Sequence, residues 1–285
     1  MRDSRMAGQR NNKLISALRI IVAVVVTLLI LFPIYWMVVS SLKTQSEMRL
    51  AVPTLWPESF AWENYAEAFR VIPYAKYFTN TLIMSAGLIF LQLNVALWAA
   101  YAFAKGRFWG KELLFLLVLA ALIVPDQVTF IPVYVLMSNL NWLDTFWALI
   151  VPNGASAFGI FLLRQAFKSL NNDVLEAARV DGAGRFALIY RMLVPMAMPT
   201  VVTFGVLIFI ASWNSYFWPL IMTNSNDMRV LTIGIAFLRD SIAGDEAMYF
   251  HIIMAASVMA ILPIIIIYSL MQKHIVAAMA NSTFK

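Results

Sequence analysis

The sequence predicts an all-α polytopic membrane protein with six transmembrane helices. Hydrophobic residues make up 62% of the 285 positions and charged residues only 13%, whereas a soluble domain is about 45–50% apolar and roughly 25% charged. The mean hydropathy is +0.78. The charges stand in short segments between apolar runs that approach the roughly 20 residues a transmembrane helix requires. These observations exclude a soluble globular domain, a disordered chain and a nucleic-acid-binding protein, whose charge would lie on one soluble face.

The first predicted span, Ile20–Leu42, has 23 uncharged residues after a basic segment. A cleaved signal peptide has an apolar region of about 7–15 residues, so we expect this longer run to be retained as a helix. Pro125 and Pro132 interrupt the third span, and because proline breaks the helical hydrogen-bond ladder, that span can consist of two pieces. The five spans after the first are predicted at Tyr77–Ala104, Leu113–Met137, Phe146–Leu163, Met196–Met222 and Met248–Met271.

Basic residues divide unequally between the two sides of the predicted bundle. With the N-terminus inside, fifteen of the 21 Lys and Arg residues fall in inner segments and six in outer ones. Short loops rich in Lys and Arg stay in the cytoplasm, so both termini are predicted to be cytoplasmic. The predicted parts are a cytoplasmic N-terminal segment 1–19, a six-span domain 20–272 and a cytoplasmic tail 273–285.

Three hydrophilic segments are longer than a simple connection requires. Residues 43–76 and 223–247 are predicted outside the membrane, and residues 164–195 inside. Helices in bundles are commonly joined by about 2–8 residues. Each of these segments is therefore a candidate for function.

The sequence offers no constellation for catalysis, metal binding or nucleotide binding. It contains no Cys, and its two histidines are widely separated. A P-loop requires G-x-x-x-x-G-K-[ST], but the nearest segment, Gly106–Glu112, is one residue short and ends in Glu instead of the magnesium-binding hydroxyl. No pair of carboxylates lies within an apolar run. We therefore expect a protein that is not an enzyme and does not itself bind or hydrolyse ATP.

Charge inside the predicted membrane region is almost absent. Carriers driven by protons or sodium commonly use ionisable residues or broken helices at mid-membrane, and Asp126 is the only acid near such a position. Energy for transport is therefore expected to come from another protein. A stand-alone secondary carrier or channel for a small polar solute is the alternative.

The inner loop contains a segment that predicts a short capped helix. Asp173 can accept hydrogen bonds from the open N–H groups of the first turn, and Glu176, three residues later, completes a capping-box pattern. Gly182 supplies the helix stop, because glycine enters left-handed conformations without a Cβ clash. A second short helix, Arg185–Leu193, is predicted to end before Pro195. An ordinary amphipathic connector would show the same pattern, so physics alone leaves both interpretations open.

The same segment resembles the EAA loop of permease subunits in binding-protein-dependent ABC importers. That motif reads E-A-A, three residues, G, nine residues and I/V-x-L-P, and here it runs from Glu176 to Pro195. Leu193-Val194-Pro195 departs mildly from it. Further segments resemble the carbohydrate branch of this family, and in particular the smaller, six-span partner of maltose-type and glycerol-phosphate-type permease pairs. They are Ile131–Tyr134, Asn141–Thr145, Pro152-Asn153-Gly154, Phe161–Phe167 and Ser212–Leu220.

This resemblance implies the type I ABC importer permease fold in the cytoplasmic (inner) membrane of a prokaryote, with a sugar or sugar-like solute. It also implies a homologous sister permease subunit, a homodimeric ABC ATPase that carries ATP and magnesium, and a periplasmic or lipid-anchored solute-binding protein. The chain itself would hold no cofactor and would contact membrane lipid but no nucleic acid. The residues expected to couple to the ATPase are Asp173, Glu176, Ala177, Ala178, Asp181, Gly182 and Pro195.

Polar and aromatic positions in spans two and five are candidates for the solute pathway. On a wheel of 100° per residue, Thr81, Ser85 and Gln92 share one stripe. Span five carries a set of aromatic and polar groups that suits sugar faces and hydroxyls, comprising Ser212, Trp213, Asn214 and Tyr216. Such residues also join helices or form the interfacial aromatic belt, so these alternatives stay open. No span contains the Lys or Arg that a phosphorylated solute would favour, which points to a neutral solute.

Overall fold

Helices are the only regular elements in the part of the chain that the computed structural model describes, residues 2–240 and 249–283. Side chains are described for residues 15–125, 128–238 and 249–273. Three of the described helices are long and apolar enough to cross a membrane, and up to five spans result if each of two bent pairs counts as one. The all-α membrane architecture predicted from the sequence is therefore confirmed.

The elements before the first bent pair include two of the long helices. Two short helices lie between these long ones, so the predicted outer segment 43–76 has its own secondary structure. The bounds are α1 (Arg2–Ser41), α2 (Gln45–Met48), α3 (Glu63–Val71) and α4 (Tyr74–Lys105).

The third predicted span consists of two pieces, as its prolines suggested. α5 (Lys111–Ala120) runs into a 3₁₀ turn, and α6 (Asp126–Asn139) begins directly after Pro125. The two pieces form the first bent pair. Pro132 lies inside α6, where the helix continues past it.

The fourth predicted span is not a continuous helix, so that part of the prediction is wrong. α7 (Phe146–Ile150) has five residues and α8 (Ala157–Lys168) has twelve, and six non-helical residues separate them. Pro152 and Gly154 lie in this break. Proline lacks the N–H that a helix needs and glycine weakens helices, which explains why an apolar run does not stay helical here.

The fifth predicted span is also interrupted, and the sixth extends further than predicted. In chain order the remaining elements are α9 (Asn172–Val180), α10 (Arg185–Ala187), a π-helix (Leu188–Leu193), α11 (Val194–Met196), α12 (Met198–Trp213), α13 (Phe217–Met222), α14 (Leu231–Asp240) and α15 (Phe250–Thr283). The predicted start of the sixth span, Met248, and part of segment 223–247 lie outside the described residues. The predicted tail 273–285 is, up to Thr283, the end of α15.

The chain forms two compact units, of which the first comprises residues 1–72 and 237–259. Within it the segment after α1 is held by buried polar contacts. The Asn64 amide donates to the carbonyl oxygens of Ser41 and Lys43 at 2.9 Å, and the Lys43 ammonium donates to the carbonyl of Thr54. Lys43 is 1% exposed and lies 4.5 Å from the centroid of the Trp36 ring. These bonds explain how a hydrophilic segment folds against the end of an apolar helix.

The second unit comprises residues 73–236 and 260–285 and has α4 at its centre. α4 packs mainly against α8 and α12. Buried side chains such as Leu88, Leu163 and Phe209 form this core. Pieces of the interrupted fourth and fifth predicted spans therefore pack against a long unbroken helix.

Asp144 joins two connections of the second unit, the one before α7 and the one after α13. Its Oδ1 accepts hydrogen bonds from the N–H groups of Asn224 and Ser225 at 2.9 and 3.0 Å. Burial acts to raise the pKa of this carboxyl, but the hydrogen bonds from Ser225 and Asn224 outweigh it and lower the pKa below its ordinary value. The carboxylate is thus the stable form of Asp144, and it holds the two connections together.

Gly159 allows α8 to approach α12 closely, and replacing it with alanine is expected to destabilise the bundle. A Cβ at position 159 would lie 1.9 Å from the Cζ of Phe204, a buried ring on α12. Overpacking costs about 1–3 kcal/mol, while the gain in helix propensity on replacing Gly with Ala is about 1 kcal/mol. We therefore expect Gly159→Ala to lower the free energy of unfolding by about 1 kcal/mol, measured as a lower thermal midpoint in detergent.

Two further variants control this prediction. Gly205→Ala makes the same change within α12, but its nearest neighbour would be a Leu93 methyl at 3.8 Å, so no destabilisation is expected. Combining Gly159→Ala with Phe204→Leu should recover most of the loss. A thermal midpoint for Gly159→Ala at or above the original value would contradict the packing argument.

Candidate functional site

A cavity of about 950 Å³ lies within the second unit. It is bounded by α4, by the pieces around Pro125, by the α7–α8 break and by the segment that joins α12 to α13. Among the side chains that the structure describes, its lining contains no Asp, Glu, Lys or Arg. The lining side chains with hydroxyl or amide groups are Gln92, Thr129, Asn153, Ser156, Ser212, Ser215 and Tyr216, and the aromatic ones include Phe130, Phe158, Phe217 and Trp218. The cavity therefore presents neutral hydrogen-bonding groups together with aromatic faces.

The break between α7 and α8 supplies one wall of the cavity. Non-helical backbone at membrane depth requires hydrogen-bond partners from protein or water. The Gln92 amide donates to the carbonyl oxygen of Asn153 at 2.7 Å, and the Ser156 hydroxyl accepts from the N–H of Gly159 at 3.1 Å, which caps α8. Side chains that line the cavity thus also stabilise the broken backbone.

The structure brings three of the seven predicted pathway residues to the cavity. Gln92, Ser212 and Tyr216 line it. Gln92 and Tyr216 come from α4 and from the start of α13, so residues more than 100 positions apart in the sequence meet at one site. For these three the pathway role stays a prediction that the geometry permits.

The other four predicted pathway residues lie outside the cavity lining. Thr81 accepts a hydrogen bond from the N–H of Leu231 at 2.8 Å, at the start of α14. The indole N–H of Trp213 donates to the carbonyl of Ala260 at 2.9 Å, and the Asn214 amide donates within its own helix to Ile210 at 2.8 Å. The Ser85 hydroxyl is buried without a hydrogen-bond partner among the described residues. Thr81 and Trp213 thus join helices, which was the alternative left open for them.

Sequence reasoning missed several lining residues, among them Thr129, Asn153 and Trp218. They come from α6, from the α7–α8 break and from α13. The signal that could have found them is the presence of helix-breaking residues inside apolar runs, such as Pro125 and Pro152. Breaks of that kind at membrane depth survive where protein or a water-filled cavity surrounds them.

The predicted inner-loop helix is present as α9, but its N-terminal cap differs from the prediction. The capping residue is Asn171, whose side-chain oxygen accepts from the N–H of Asp173 at 3.0 Å. Asp173 instead lies in the first turn, where its negative charge is favourable near the helix N-terminus. The predicted capping box between Asp173 and Glu176 is therefore wrong.

The predicted stop at Gly182 is confirmed. Gly182 has φ +84°, its N–H donates to Arg179, and the N–H of Ala183 donates to Ala178 at 2.9 Å. These two bonds form the Schellman arrangement that ends a helix with a left-handed residue. No atom of the described residues lies within 4 Å of the position that a Cβ of residue 182 would take, so the outer side of this turn is open.

One side of α9 is buried and the other is exposed. Leu175 is buried, whereas Val174, Ala177 and Asp181 are exposed and Val180 is 88% exposed. Ala178 is half-buried, and Glu176 is exposed. α9 thus presents a small, partly apolar surface that no described residue covers.

The segment after α9 continues further than predicted. The helix does not end before Pro195 but runs from Arg185 to Met196, and it then meets α12 at a bend of 90°. The π-helical stretch Leu188–Leu193 directly precedes α11. Proline cannot donate the hydrogen bond that a regular α-helix would use, which agrees with a widened turn before Pro195.

Tyr190 connects this segment to α4. Its hydroxyl donates to the Oδ1 of Asn94 and accepts from the indole N–H of Trp98 at 3.1 Å. Asn94 lies on a different face of α4 from Gln92, and its side chain bonds to another helix. α4 therefore contacts the cavity through Gln92 and the inner segment through Asn94 and Trp98.

Comparison with known proteins identifies relatives of this chain. The model of the family described as binding-protein-dependent transport system inner membrane component matches residues 92–281. The probable ABC transporter permease protein YurM of Bacillus subtilis is 31% identical over 264 residues, which is 90% of this chain and 84% of YurM. The arabinooligosaccharides transport system permease protein AraQ of the same organism is 31% identical over 256 residues, with 89% and 90% covered.

A solved structure shares the fold. It belongs to a bacterial ABC transporter involved in the import of the acidic polysaccharide alginate, and it superposes with a TM-score of 0.85 at 22% identity. The match covers 93% of this chain and 98% of that one.

Proposed function

The chain belongs to the family of binding-protein-dependent transport system inner membrane components, the transmembrane subunits of ABC importers, and from this we propose that it carries a neutral sugar or oligosaccharide across the inner membrane. The observation that carries the proposal is the cavity, which combines amide, hydroxyl and aromatic groups with no charged side chain among the described lining. Membership of this family excludes the alternative of a stand-alone secondary carrier or channel.

The described part of the lining is uncharged, and this favours a neutral solute over an anionic one. Carboxylate and phosphate groups are bound most strongly by Arg or Lys through charge-assisted hydrogen bonds, and the described lining of this cavity offers neither. Aromatic faces and amide groups instead suit the apolar faces and hydroxyls of sugars. AraQ is named for arabinooligosaccharides, which agrees with such a solute.

The ATP is hydrolysed by a partner in this proposal. A homodimeric ABC ATPase docks on the exposed surface of α9, with Glu176, Ala177, Ala178 and Gly182 at the contact. Asp173, Asp181 and Pro195 complete the coupling segment. A sister permease subunit and a solute-binding protein outside the membrane complete the importer, and ATP and magnesium belong to the ATPase.

Movement of α9 reaches the cavity through α4. Closure of the ATPase pair on ATP shifts α9 and the segment 185–196, and the hydrogen bonds of Tyr190 pass the shift to α4, two residues from Gln92. ATP then biases a two-state bundle, since it favours the conformation in which the ATPase dimer is closed.

The test of this function is purification from mild detergent followed by reconstitution. We expect a second permease and an ATPase to co-purify with the chain, and we expect uptake of a neutral oligosaccharide to require ATP on the side of the ATPase. Uptake of the same sugar by the chain alone, without ATP, would refute the proposal.

The proposed orientation can be tested separately, since the chain contains no Cys. Cysteine at exposed Ser59 is expected to react with an impermeant thiol reagent from outside in intact cells, and cysteine at exposed Ser169 only after lysis. The physical reason is the excess of Lys and Arg in the segments assigned to the inside. The opposite labelling pattern would invert the topology.

Tyr190→Phe tests the connection between the coupling segment and α4. Removing the hydroxyl takes a donor from Asn94 and an acceptor from Trp98, each worth about 0.5–1.5 kcal/mol. We expect uptake to fall about threefold while the ATPase still co-purifies. Tyr216→Leu affects the cavity instead and should alter solute dependence. Unchanged coupling between ATP hydrolysis and uptake in Tyr190→Phe would contradict the proposed connection.

A further inference from the structure

A second, smaller cavity lies beside α9 and is rich in positive charge. It has a volume of about 170 Å³ and lies among the end of α4, the loop that follows it, the start of α5 and one side of α9. Its lining includes Lys105, Arg107, Lys111 and Arg179, with Glu176 as the one carboxylate. Four cations thus surround a space whose volume is several times the roughly 30 Å³ that one water molecule occupies in the liquid.

None of the four cations forms an ion pair with a described carboxylate, although Glu176 lines the same cavity. The Lys105 ammonium donates to the Leu170 carbonyl and to Asn172, and the Lys111 ammonium donates to the Gly106 carbonyl. The remaining N–H groups of these side chains are available to an anion, and several converging cationic donors suit a phosphate group.

The length of α4 places this cavity near the level expected for lipid phosphates if the helix crosses the membrane. Lys105 ends α4, a helix of 32 residues, and at about 1.5 Å per residue such a helix spans about 48 Å, close to the thickness of a bilayer with its headgroups. Lys111 begins α5, the first piece of a bent apolar pair. Between them Trp109 is 96% exposed, and tryptophan is enriched at the membrane–water interface.

We infer that this cavity binds a phosphate-type anion, supplied by the phosphodiester headgroup of an anionic membrane phospholipid. Basic pockets between helices at the membrane surface bind such headgroups. The lipid phosphate is held among Lys105, Arg107, Lys111 and Arg179, which line the cavity. It thereby joins the loop between α4 and α5 to α9. Free inorganic phosphate has the same chemistry and is the other source to be distinguished.

Native mass spectrometry of the detergent-solubilised importer complex tests this inference. The probes are phosphatidylglycerol, phosphatidylcholine and inorganic phosphate, and the variant is Arg107→Gln combined with Lys111→Gln. Each basic residue contributes about 1 kcal/mol to attraction of anionic lipid, so the double variant should bind phosphatidylglycerol about thirtyfold more weakly. Lys168→Gln combined with Arg191→Gln removes the same charge from exposed positions outside the cavity and should bind it like the unmodified protein.

The outcomes separate the possible occupants. Displacement of phosphatidylglycerol by millimolar inorganic phosphate, with equal loss of both in the Arg107/Lys111 variant, would keep the anion site and assign it to free phosphate. Equal binding of phosphatidylglycerol by the two double variants would overturn the site. Loss of the ATPase subunit from the Arg107/Lys111 variant with lipid binding unchanged would also overturn it, because the cations would then belong to a protein interface.

Discussion

Replacing Gly182 with leucine is expected to lower uptake at least about tenfold while the protein still inserts into the membrane. Gly182 has φ +84°, and a left-handed conformation costs other residues roughly 1–2 kcal/mol. The strain acts on the two hydrogen bonds that end α9, so the end of the helix and its exposed surface shift. Uptake into vesicles, scored against the amount of co-purified ATPase, measures the effect.

Two matched variants separate backbone strain from the bulk of the new side chain. Gly184→Leu makes the same change two residues later, where φ is −71° and a Cβ would also meet no neighbour. Gly182→Asn adds a side chain at the original site, but asparagine tolerates the left-handed conformation. Loss of uptake in Gly182→Leu alone assigns the effect to strain, and loss in all three assigns it to a partner that occupies the open side of the turn. Normal uptake and normal ATPase co-purification in Gly182→Leu would contradict a coupling role for α9.

The long apolar helices could be predicted from the sequence because their signal is composition over many residues. α4 was predicted at Tyr77–Ala104 and extends from Tyr74 to Lys105. The α7–α8 break could not be placed by the same signal. Val151, Pro152 and Ala155 in the break are as apolar as the residues of the flanking helices. Hydropathy averages over the run, whereas a break depends on single residues that lack a donor or weaken the helix.

The cap of α9 shows a second limit of sequence reasoning. Asn171, Asn172 and Asp173 follow one another, and all are good N-terminal caps. Which one caps depends on how the chain enters the helix, and this is a tertiary property. The stop at Gly182 was predictable because a single glycine stands where the helix pattern ends.

The solute pathway was predictable only in part, because a helical wheel treats a helix as if one neighbour lined its whole length. Thr81 and Gln92 share a stripe on α4, but they lie eleven residues apart and meet different surroundings. Thr81 caps α14, and Gln92 reaches the α7–α8 break. The other walls of the cavity come from α6 and α13. No local pattern in the sequence predicts that these helices lie near α4.

Replacing Gln92 with leucine is expected to lower uptake about tenfold. The change removes a polar group from the cavity and leaves the part-buried carbonyl of Asn153 without its donor, and a lost hydrogen bond costs about 0.5–1.5 kcal/mol. Leucine is similar in size to glutamine, so the cavity volume changes little. Uptake of a neutral oligosaccharide by the reconstituted importer measures the loss.

Two variants show whether Gln92 lines the pathway or only joins helices. Gln165→Leu makes the same change at an exposed position outside the cavity and should leave uptake unchanged. Asn214→Leu alters a residue of the predicted pathway whose amide bonds within its own helix, so its effect should be smaller than that of Gln92→Leu. Loss of subunit assembly together with uptake in Gln92→Leu would show that Gln92 joins helices. Intact assembly with reduced, solute-dependent uptake would show that it lines the pathway, and normal uptake in Gln92→Leu would mean that the solute crosses the membrane elsewhere.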